Sequence, residues 1–408
     1  MKIGIVGGSI AGCSAAILLS REGHDVMVYE RSNKALVGRG GGIGTIPLLM
    51  SEISREGMIG DDFSSFRIEK LPFIGKQKAA EPYGKRAGAI DMNFDVFQWN
   101  ELWNHLRRRV PDRFYQKGIK VTGARTTSED SVELSFDQDP PQTFDLVIFA
   151  DGYNSLGRHL MFPGKKLKYR GYVLWRGLLP ENEMEAKSPL KNEILRLSYS
   201  GQPGHNVVYY IPGLDGSTND GSRVFNWAAY IAFEEKELSN LMTDETGKQW
   251  TGTLPPRKLS KQNEDELKDF ISRNTPDYYA EIVNRTTDSY IQVIYTLDLD
   301  SYYKDRMCLI GDAGMVVQPF TGSGVFKGYN NVKDLITSLN ANDTLKDALS
   351  EWSGKQVKSG KRLLALGEQM EKAFIWDQPD FANMDARSTS QWWMKSITFP
   401  ENFNYQKG

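Results

Sequence analysis

Residues Lys2–Glu30 read KIGIVGGSIAGCSAAILLSREGHDVMVYE. Lys2-Ile3-Gly4-Ile5-Val6 is a short buried strand, and Gly7-Gly8-Ser9-Ile10-Ala11-Gly12 a tight glycine-rich turn. Ala11 to Arg21 reads as a helix ended by Gly23, and Val26 to Glu30 as a second strand closed by an acid. Such a turn lets backbone N–H groups and the positive end of a helix approach a pyrophosphate. Glu30 lies 18 positions after Gly12, where a carboxylate accepts hydrogen bonds from a ribose hydroxyl. Ser9 replaces the middle glycine of the usual GxGxxG pattern. Strand, turn, helix, strand and terminal acid together predict a dinucleotide site; the competing reading is a turn that only packs a helix on a sheet. The stretch also imitates a secretory signal, and Ile10 to Cys13 a lipoprotein cleavage box. Its positive end is a single lysine, however, and Gly4, Gly7, Gly8 and Ser9 break the apolar run.

At 408 residues the chain supports two or three domains. A hydrophobic fraction of 40% and a charged fraction of 25% are those of a soluble globular protein. No run approaches the ~18 apolar residues of a membrane span. A net charge of −2 does not favour nucleic acid. The basic runs at Arg107-Arg108-Arg109 and Lys165-Lys166 read as solvated surface. Cys13 and Cys308 each lie in an apolar element and read as buried hydrophobes, so neither a disulfide nor a metal site is expected. The cysteine usage fits a reducing cytoplasm.

Beyond Arg31, Gly38 to Gly44 holds five glycines and Arg39, and reads either as a mobile surface loop or as a loop on the ligand. Residues 46 to 59 look helical, 67 to 95 short-stranded, and Phe97 to Arg109 helical, with Gln98 facing a ligand at its start. Ile119 to Phe136 alternates about a Ser128–Asp130 turn, a β-hairpin. Phe144 to Ala150 is a buried strand ending in Asp151-Gly152, at the sheet edge where α/β folds bind ligands. From Tyr169 to Tyr295 short alternating strands (Tyr172 to Gly177, Val207 to Ile211, Val224 to Phe233) predict an inserted antiparallel sheet, overlaid by helices at 263 to 273 and 275 to 285. The α/β texture returns at Met307 to Gly311-Asp312 and runs through Pro319 and Gly322-Ser323-Gly324 into a helix from Val325 to Asn340. Asp312 suits a polyol, and the amides of Gly322 to Val325 suit a negative charge. Residues 344 to 374 are amphipathic helices, and the tail from Asp377 reads as an aromatic wrap.

Gly7 to Gly12, Asp151-Gly152 and Gly311-Asp312 together resemble the three fingerprints of the class A flavoprotein aromatic hydroxylases. The 2,6-dihydroxypyridine hydroxylase-like branch is the nearest likeness, through the Arg39 loop, Tyr172 to Gly177 (YVLWRG), Asn226-Trp227 and Trp392-Trp393. The resemblance implies an α/β Rossmann-like FAD-binding domain in three layers with an inserted antiparallel substrate sheet. By that likeness residues 1–70, 96–165 and 296–340 form the FAD domain, 71–95 and 166–295 the substrate domain, and 341–408 the C-terminal helices and tail. It implies FAD as cofactor, with Gly7, Gly8, Ser9, Ile10, Ala11 and Gly12 at the pyrophosphate. Glu30 would sit at the ribose, Arg31 near the adenine, and Val121 would offer its backbone to the adenine. Arg39 and Gln98 would face the flavin or pyrophosphate. Gly311 and Asp312 would meet the ribityl side, Gly322, Ser323, Gly324 and Val325 the pyrimidine edge, and Pro319 the flavin face. Asp151 would be structural and could assist nicotinamide binding.

Three departures from the family pattern stand out. Gly314-Met315 replaces Ala-His, Asn330-Asn331 replaces an acidic pair, and Trp99 replaces an arginine. The implied reaction is hydroxylation of an electron-rich aromatic or N-heteroaromatic small molecule by NADH or NADPH and O2 through a flavin C4a-hydroperoxide. A flavin-dependent dehydrogenase, reductase or non-hydroxylating oxidase is the alternative. No protein nucleophile is required. Arg39, Pro319 and Tyr210 are the candidate catalytic residues; His205 and Tyr209 join Tyr210 as candidate bases by location, against a purely structural role in the sheet. A cytoplasmic monomer or homodimer, with no nucleic-acid partner, is expected.

Overall fold

The computed structural model describes residues 1–36, 40–77, 82–128 and 130–397. Arg39, the tip of the Ser128–Asp130 turn at Glu129, and Phe399-Pro400 lie outside the described residues. The opening stretch folds into β1 (Lys2–Val6), α1 (Ile10–Arg21) and β2 (Asp25–Glu30), a parallel βαβ unit. Gly7 takes a left-handed φ of +105°, and a Cβ on Gly12 would lie 1.8 Å from the Gly7 carbonyl oxygen. Glycine at both positions is what lets the helix start this close to the strand.

In chain order there follow β3 (Gly42–Thr45), α2 (Pro47–Arg55), β4 (Phe66–Gly75), β5 (Lys85–Gln98), α3 (Trp99–Arg107) and β6 (Tyr115–Lys117). A small three-stranded sheet comes next, β7 (Val121–Ser128), β8 (Ser131–Phe136) and β9 (Gln142–Phe144), then β10 (Leu146–Phe149) and α4 (Leu156–Met161). The inserted region contributes β11 (Lys168–Pro180), β12 (Ile194–Tyr199), β13 (Gln202–Ile211), β14 (Val224–Ala232), α5 (Leu238–Leu241), β15 (Thr253–Leu254), α6 (Lys261–Asn274), α7 (Asp277–Arg285) and β16 (Tyr290–Thr296). The chain closes with β17 (Tyr303–Lys304), β18 (Met307–Leu309), α8 (Phe326–Ala341), α9 (Leu345–Glu371) and α10 (Ala386–Ser396).

The first sheet runs β17-β18-β10-β1-β2-β6, parallel except for β17. In register, Val6 faces Phe149 and Phe149 faces Leu309. The three fingerprints therefore leave the sheet side by side at the carboxyl ends of β1, β10 and β18, where open α/β sheets bind ligands. Ile3, Ile5, Val147, Ile148, Cys308 and Leu309 are fully buried, as strands covered on both faces require.

The second sheet has nine strands in the order β15-β16-β11-β14-β13-β12-β4-β5-β3, antiparallel except where β12 meets β4. It reaches further back in the chain than expected. Gly42–Thr45 and Phe66–Gly75 belong to it, and β5 continues to Gln98. The helix predicted from Phe97 starts two residues later because Val96 and Phe97 pair with Gly44 and Ile43. One face of this sheet packs Val207, Tyr209, Ala228 and Tyr230 toward the first domain and the C-terminal helices. The other packs Val208, Tyr210, Phe225 and Trp227 under α6 and α7. The tail after Asp377 is more regular than a wrap: α10 starts at a capping box in which Asp385 and Ser388 bond each other's backbone.

Candidate flavin and substrate site

The turn after β1 is anchored from behind. Cys13 Sγ, Trp103 Nε1 and Tyr115 OH all donate to the Gly8 carbonyl, at 3.3, 3.1 and 2.9 Å. Burial pushes the Cys13 thiol up to about 12, so it stays a neutral donor. The Gly8 amide donates to Glu30 Oε2 at 2.9 Å, and Ser32 N donates to Glu30 Oε1 at 2.8 Å. The buried carboxylate is thus oriented at the end of β2, with lone pairs left for further donors. Ser9 is the N-cap of α1, and its side chain makes no capping bond. The segment carrying Val121 adjoins this acid, since Ile119 N donates to the Glu30 carbonyl at 3.1 Å.

Asp151, after β10, accepts from the amides of Leu156 and Gly157 at 2.7 and 3.4 Å and so holds the start of α4. Burial raises its pKa, against the lowering effect of Ser155 and those amides. Arg158, 2% exposed, donates to the carbonyls of Tyr153 (2.6 Å) and Ala313 (3.1 Å). It clips the second fingerprint to the third. At the third, Gly311 N donates to Asn331 Oδ1 (2.8 Å), Asn331 Nδ2 to Gln356 Oε1 (2.7 Å), and Gln356 Nε2 to Asp334 Oδ2 (2.8 Å). Asn331 is therefore an acceptor for the fingerprint's own backbone. A Cβ on Gly311 would lie 3.2 Å from Ala11 Cβ, so the first and third turns touch.

Between this edge and the nine-stranded sheet lies a cavity of about 730 Å³, within the range of small-molecule sites. One wall is Trp99, Asp312 and the segment from Gln318 to Val325; the other is the sheet, through Gly42 to Gly44 at its β3 edge and Leu174, Arg176, Val207, Tyr209, Ala228 and Tyr230. The last six of these residues come from the three strands that the sequence marks as the inserted antiparallel sheet. Trp393, Met394 and Ile397 from the C-terminal segment complete it, residues whose place in the site no sequence motif announces.

The glycine-rich loop is fixed from the sheet. Gly42 N donates to Asn226 Oδ1 (2.7 Å), and Arg176 donates to the Gly42 carbonyl (2.9 Å). Gln98, expected at the cofactor, instead spends its amide nitrogen on the carbonyls of Pro212 and Gly213 (2.8 and 3.0 Å). Trp99 stacks on Trp103, with planes 8° apart, and closes on Gly40, whose added Cβ would meet it at 2.8 Å.

The candidate bases separate by strand alternation. Tyr209 faces the cavity. Tyr210 faces the opposite side, where its hydroxyl donates to Glu181 Oε1 at 2.7 Å and Arg223 lies over its ring. Tyr210 is therefore no catalytic candidate: adjacent strand residues point to opposite faces. His205 is fully buried, its Nδ1 at 3.0 Å from the Phe374 carbonyl and its Nε2 at 2.5 Å from Arg196. Burial first, and Arg196 second, hold its pKa well below the ordinary 6.5. As a neutral ring donating from Nδ1 and accepting at Nε2, it has no free nitrogen with which to take a proton from substrate.

The residues fit an FAD. The α1 turn lacks a side-chain cap, Glu30 is an oriented carboxylate with lone pairs left for a hydroxyl, and the Asp312 side chain is 46% exposed beside the cavity. A Cβ at Gly324 would meet nothing within 4 Å, so the Gly322–Val325 turn is open to close approach.

Two family models match the chain: an NAD(P)-binding Rossmann-like domain over residues 5–39 and an FAD binding domain-like model over 169–296. The chain is 27% identical to 2,6-dihydroxypyridine 3-monooxygenase of Paenarthrobacter nicotinovorans, over 89% of each chain. It is 25% identical to 3-amino-4-hydroxybenzoate 2-monooxygenase of Streptomyces cremeus, over 95% of this chain and 91% of that one. Among solved structures, 2,6-dihydroxypyridine-3-hydroxylase from Arthrobacter nicotinovorans superposes with a TM-score of 0.81 at 24% identity, over 93% and 95% of the two chains. Klebsiella pneumoniae HpxO complexed with FAD and uric acid gives 0.72 at 18% identity, over 97% and 92%. The two curated relatives are named as monooxygenases, which favours hydroxylation over the dehydrogenase, reductase or oxidase alternative. With its three fingerprints on one sheet edge and this likeness along nearly its whole length, the chain is an FAD-dependent monooxygenase of the aromatic-hydroxylase type, similar to the 2,6-dihydroxypyridine hydroxylase-like branch.

Proposed function

We propose that the protein hydroxylates an electron-rich aromatic or N-heteroaromatic small molecule held between the Pro319 segment and the faces of β11, β13 and β14, using NADH or NADPH and O2. The observation that carries this reading is the single cavity whose one wall is Asp312, Pro319 and Gly322 to Val325 and whose other is the substrate sheet. When bound, FAD supplies the oxygen-activating chemistry; the protein supplies orientation, electrostatics and a dry site. In this reading Gly7 to Gly12 take the pyrophosphate, with Glu30 at the ribose, Arg31 near the adenine and the Val121 backbone beside it. Asp312 takes the ribityl hydroxyls, the amides of Gly322 to Val325 the pyrimidine edge, and Pro319 one face of the ring. Arg39 keeps its proposed role at the flavin or pyrophosphate, and Asp151 orders α4.

For substrate, Leu174, Val207, Ala228 and Tyr230 exclude water, and Tyr209 is the hydroxyl aimed at a ring substituent. Arg196 adds a cation to the same wall, its guanidinium 3.7 Å from the Phe374 ring centroid and held by neutral His205. No helix among the described residues is long and apolar enough to cross a membrane. Cys13 and Cys308 are free and buried, which supports a reducing, cytoplasmic setting. The test is reconstitution with FAD, followed by a screen of hydroxylated aromatics and N-heterocycles for stimulated NAD(P)H oxidation. A product heavier by one oxygen is expected; protein that takes up no FAD overturns the reading.

A further inference from the structure

Lys327 occupies a position that ordinary helix chemistry disfavours. It is the second residue of α8, at the positive end of the helix dipole, where an acid is expected and a cation is disfavoured. The first turn of α8 contains no acidic residue, and its N-cap, Val325, makes no side-chain cap. Lys327 is also 5% exposed, and a buried ammonium is expensive unless paired. Its recorded ion-pair partner is Asp312 of the third fingerprint, Nζ to Oδ1 at 2.5 Å. The acids that line the second cavity with it have partners of their own: Glu52 of α2 pairs with Lys333, and Asp334, on α8 itself, accepts from Gln356. Local rules broken this way are expected at functional sites, where the cost is offset by what the group does.

Its surroundings indicate what that is. Lys327 lines the main cavity with Asp312, Gly322, Gly324 and Val325, and also lines a second cavity of about 440 Å³ behind the Thr321–Ser323 turn. Gly322 borders both cavities, as Lys327 does, whereas Asp312 borders only the main one. The ion pair is thus a dipole with its negative end at the Gly311 fingerprint and its positive end toward the turn. Asp312 holds the lysine with one oxygen, so its other oxygen stays available to a hydroxyl donor.

We propose that Lys327 is the fixed positive charge on the flavin side of the cavity, across from Arg176 and Arg196 on the sheet wall: held by Asp312 at the Gly322–Val325 turn, it stabilises the negative charge that gathers on the pyrimidine edge of the flavin when the ring is reduced. The inference rests on the flavin reading of the cavity. Backbone amides alone supply only small partial charges; the Lys327–Asp312 dipole, with its ammonium end toward the turn, adds a stronger field that is fixed in place and needs no reorganisation. Charge placed near a flavin ring is one of the ways a protein tunes its electronics.

The test is made on the FAD-loaded protein without substrate, by the two-electron midpoint potential of the bound flavin and the affinity of its N5 for sulfite, read from the loss of flavin absorbance. Lys327→Met is expected to weaken sulfite binding about tenfold and to lower the reduced-to-oxidised affinity ratio by a similar factor, which is about 30 mV for a two-electron couple. Lys327→Arg, which keeps the charge, is expected to stay near wild type in both. A Lys327→Met protein with wild-type potential and sulfite affinity overturns the proposal. So does a Lys327→Arg protein that holds flavin but falls as far as the methionine variant. If the methionine variant loses FAD, a wild-type-like arginine variant together with a Lys327→Gln protein of lowered potential supports it, and a Lys327→Gln protein of unchanged potential overturns it. Wild-type protein that takes up no FAD refutes the flavin reading itself, a separate result.

Discussion

Asn226, in the middle of the substrate sheet, accepts a hydrogen bond from the amide of Gly42, 184 residues earlier in the chain, at 2.7 Å. Arg176 completes the contact by donating to the carbonyl of the same glycine. The two side chains couple the glycine-rich loop beside the flavin position to the strands that line the substrate side. The β3 edge of the sheet and its central strands therefore set the geometry of one cavity together.

Removing that coupling has a defined cost. Asn226 is 1% exposed, so Asn226→Ala leaves a buried amide without its partner, a penalty of about 1–3 kcal/mol. FAD affinity measured by fluorescence titration is expected to fall about tenfold or more, with the remaining fold intact by circular dichroism.

Glu371, at the end of α9, gathers Arg170 (2.7 Å), Tyr172 (3.2 Å) and Gln318 (2.9 Å). Its side chain is 5% exposed and that of Arg170 is 12% exposed. Glu371→Gln leaves the largely buried Arg170 guanidinium with only the more exposed Glu368 as an acid partner, at 3.3 Å, and full loss of a buried pair would run to about 3–5 kcal/mol. A urea midpoint lowered accordingly is expected, along with a raised KM for FAD, because Gln318 precedes the Pro319 segment. An unchanged midpoint would show that the network is dispensable.

Tyr209 and Tyr210 make a paired experiment. Tyr209→Phe, in the cavity wall, is expected to change kcat or the substrate KM several-fold with little effect on stability. Tyr210→Phe breaks the bond to Glu181 on the far face, so it is expected to cost about 1 kcal/mol of stability and leave the kinetic constants alone. The opposite pattern contradicts the assignment of faces.

His205 makes stability pH-dependent with a definite sign. Its folded pKa lies well below 6.5, so between the folded value and 6.5 the unfolded chain binds the extra proton. The contribution of His205 is complete above pH 6.5 and is lost as pH falls below it, by up to about 1.4 kcal/mol per pH unit. His24 and His105 are shifted the same way, so the measurement is a difference. Urea midpoints of wild type between pH 7.5 and 5 are expected to fall more steeply than those of His205→Gln.

The parallel strands, the inserted sheet and the fingerprints were legible because each rests on local pattern: an apolar run, alternation, a glycine turn. Even the capping box of α10 was present as Asp385 with Ser388 three residues on, hidden by the irregular aromatic texture around Trp392 and Trp393. The start of α3 was misread because Val96 and Trp99 also fit helical spacing, and strand pairing with β3 decided the matter. What no local pattern carries is the long-range bonding. Arg158 reaching Ala313, Arg170 reaching Glu371 and Asn226 reaching Gly42 join residues more than a hundred positions apart. Gln98 looked free to face a ligand until the Pro212–Gly213 carbonyls appeared beside it. Lys327 carried no signal at all, because a lysine in a helix reads as surface until its burial is known.

The central claim is that one cavity brings a flavin ring and an oxidisable aromatic together. The most direct measurement follows the fate of isotopically heavy O2 in a reaction of FAD-reconstituted protein, NAD(P)H and a panel of hydroxylated aromatics and N-heterocycles. The account predicts that at least one compound speeds NAD(P)H oxidation and gains a single labelled oxygen atom. Protein that binds FAD but returns every compound without label, its NAD(P)H oxidised only to peroxide, would contradict it.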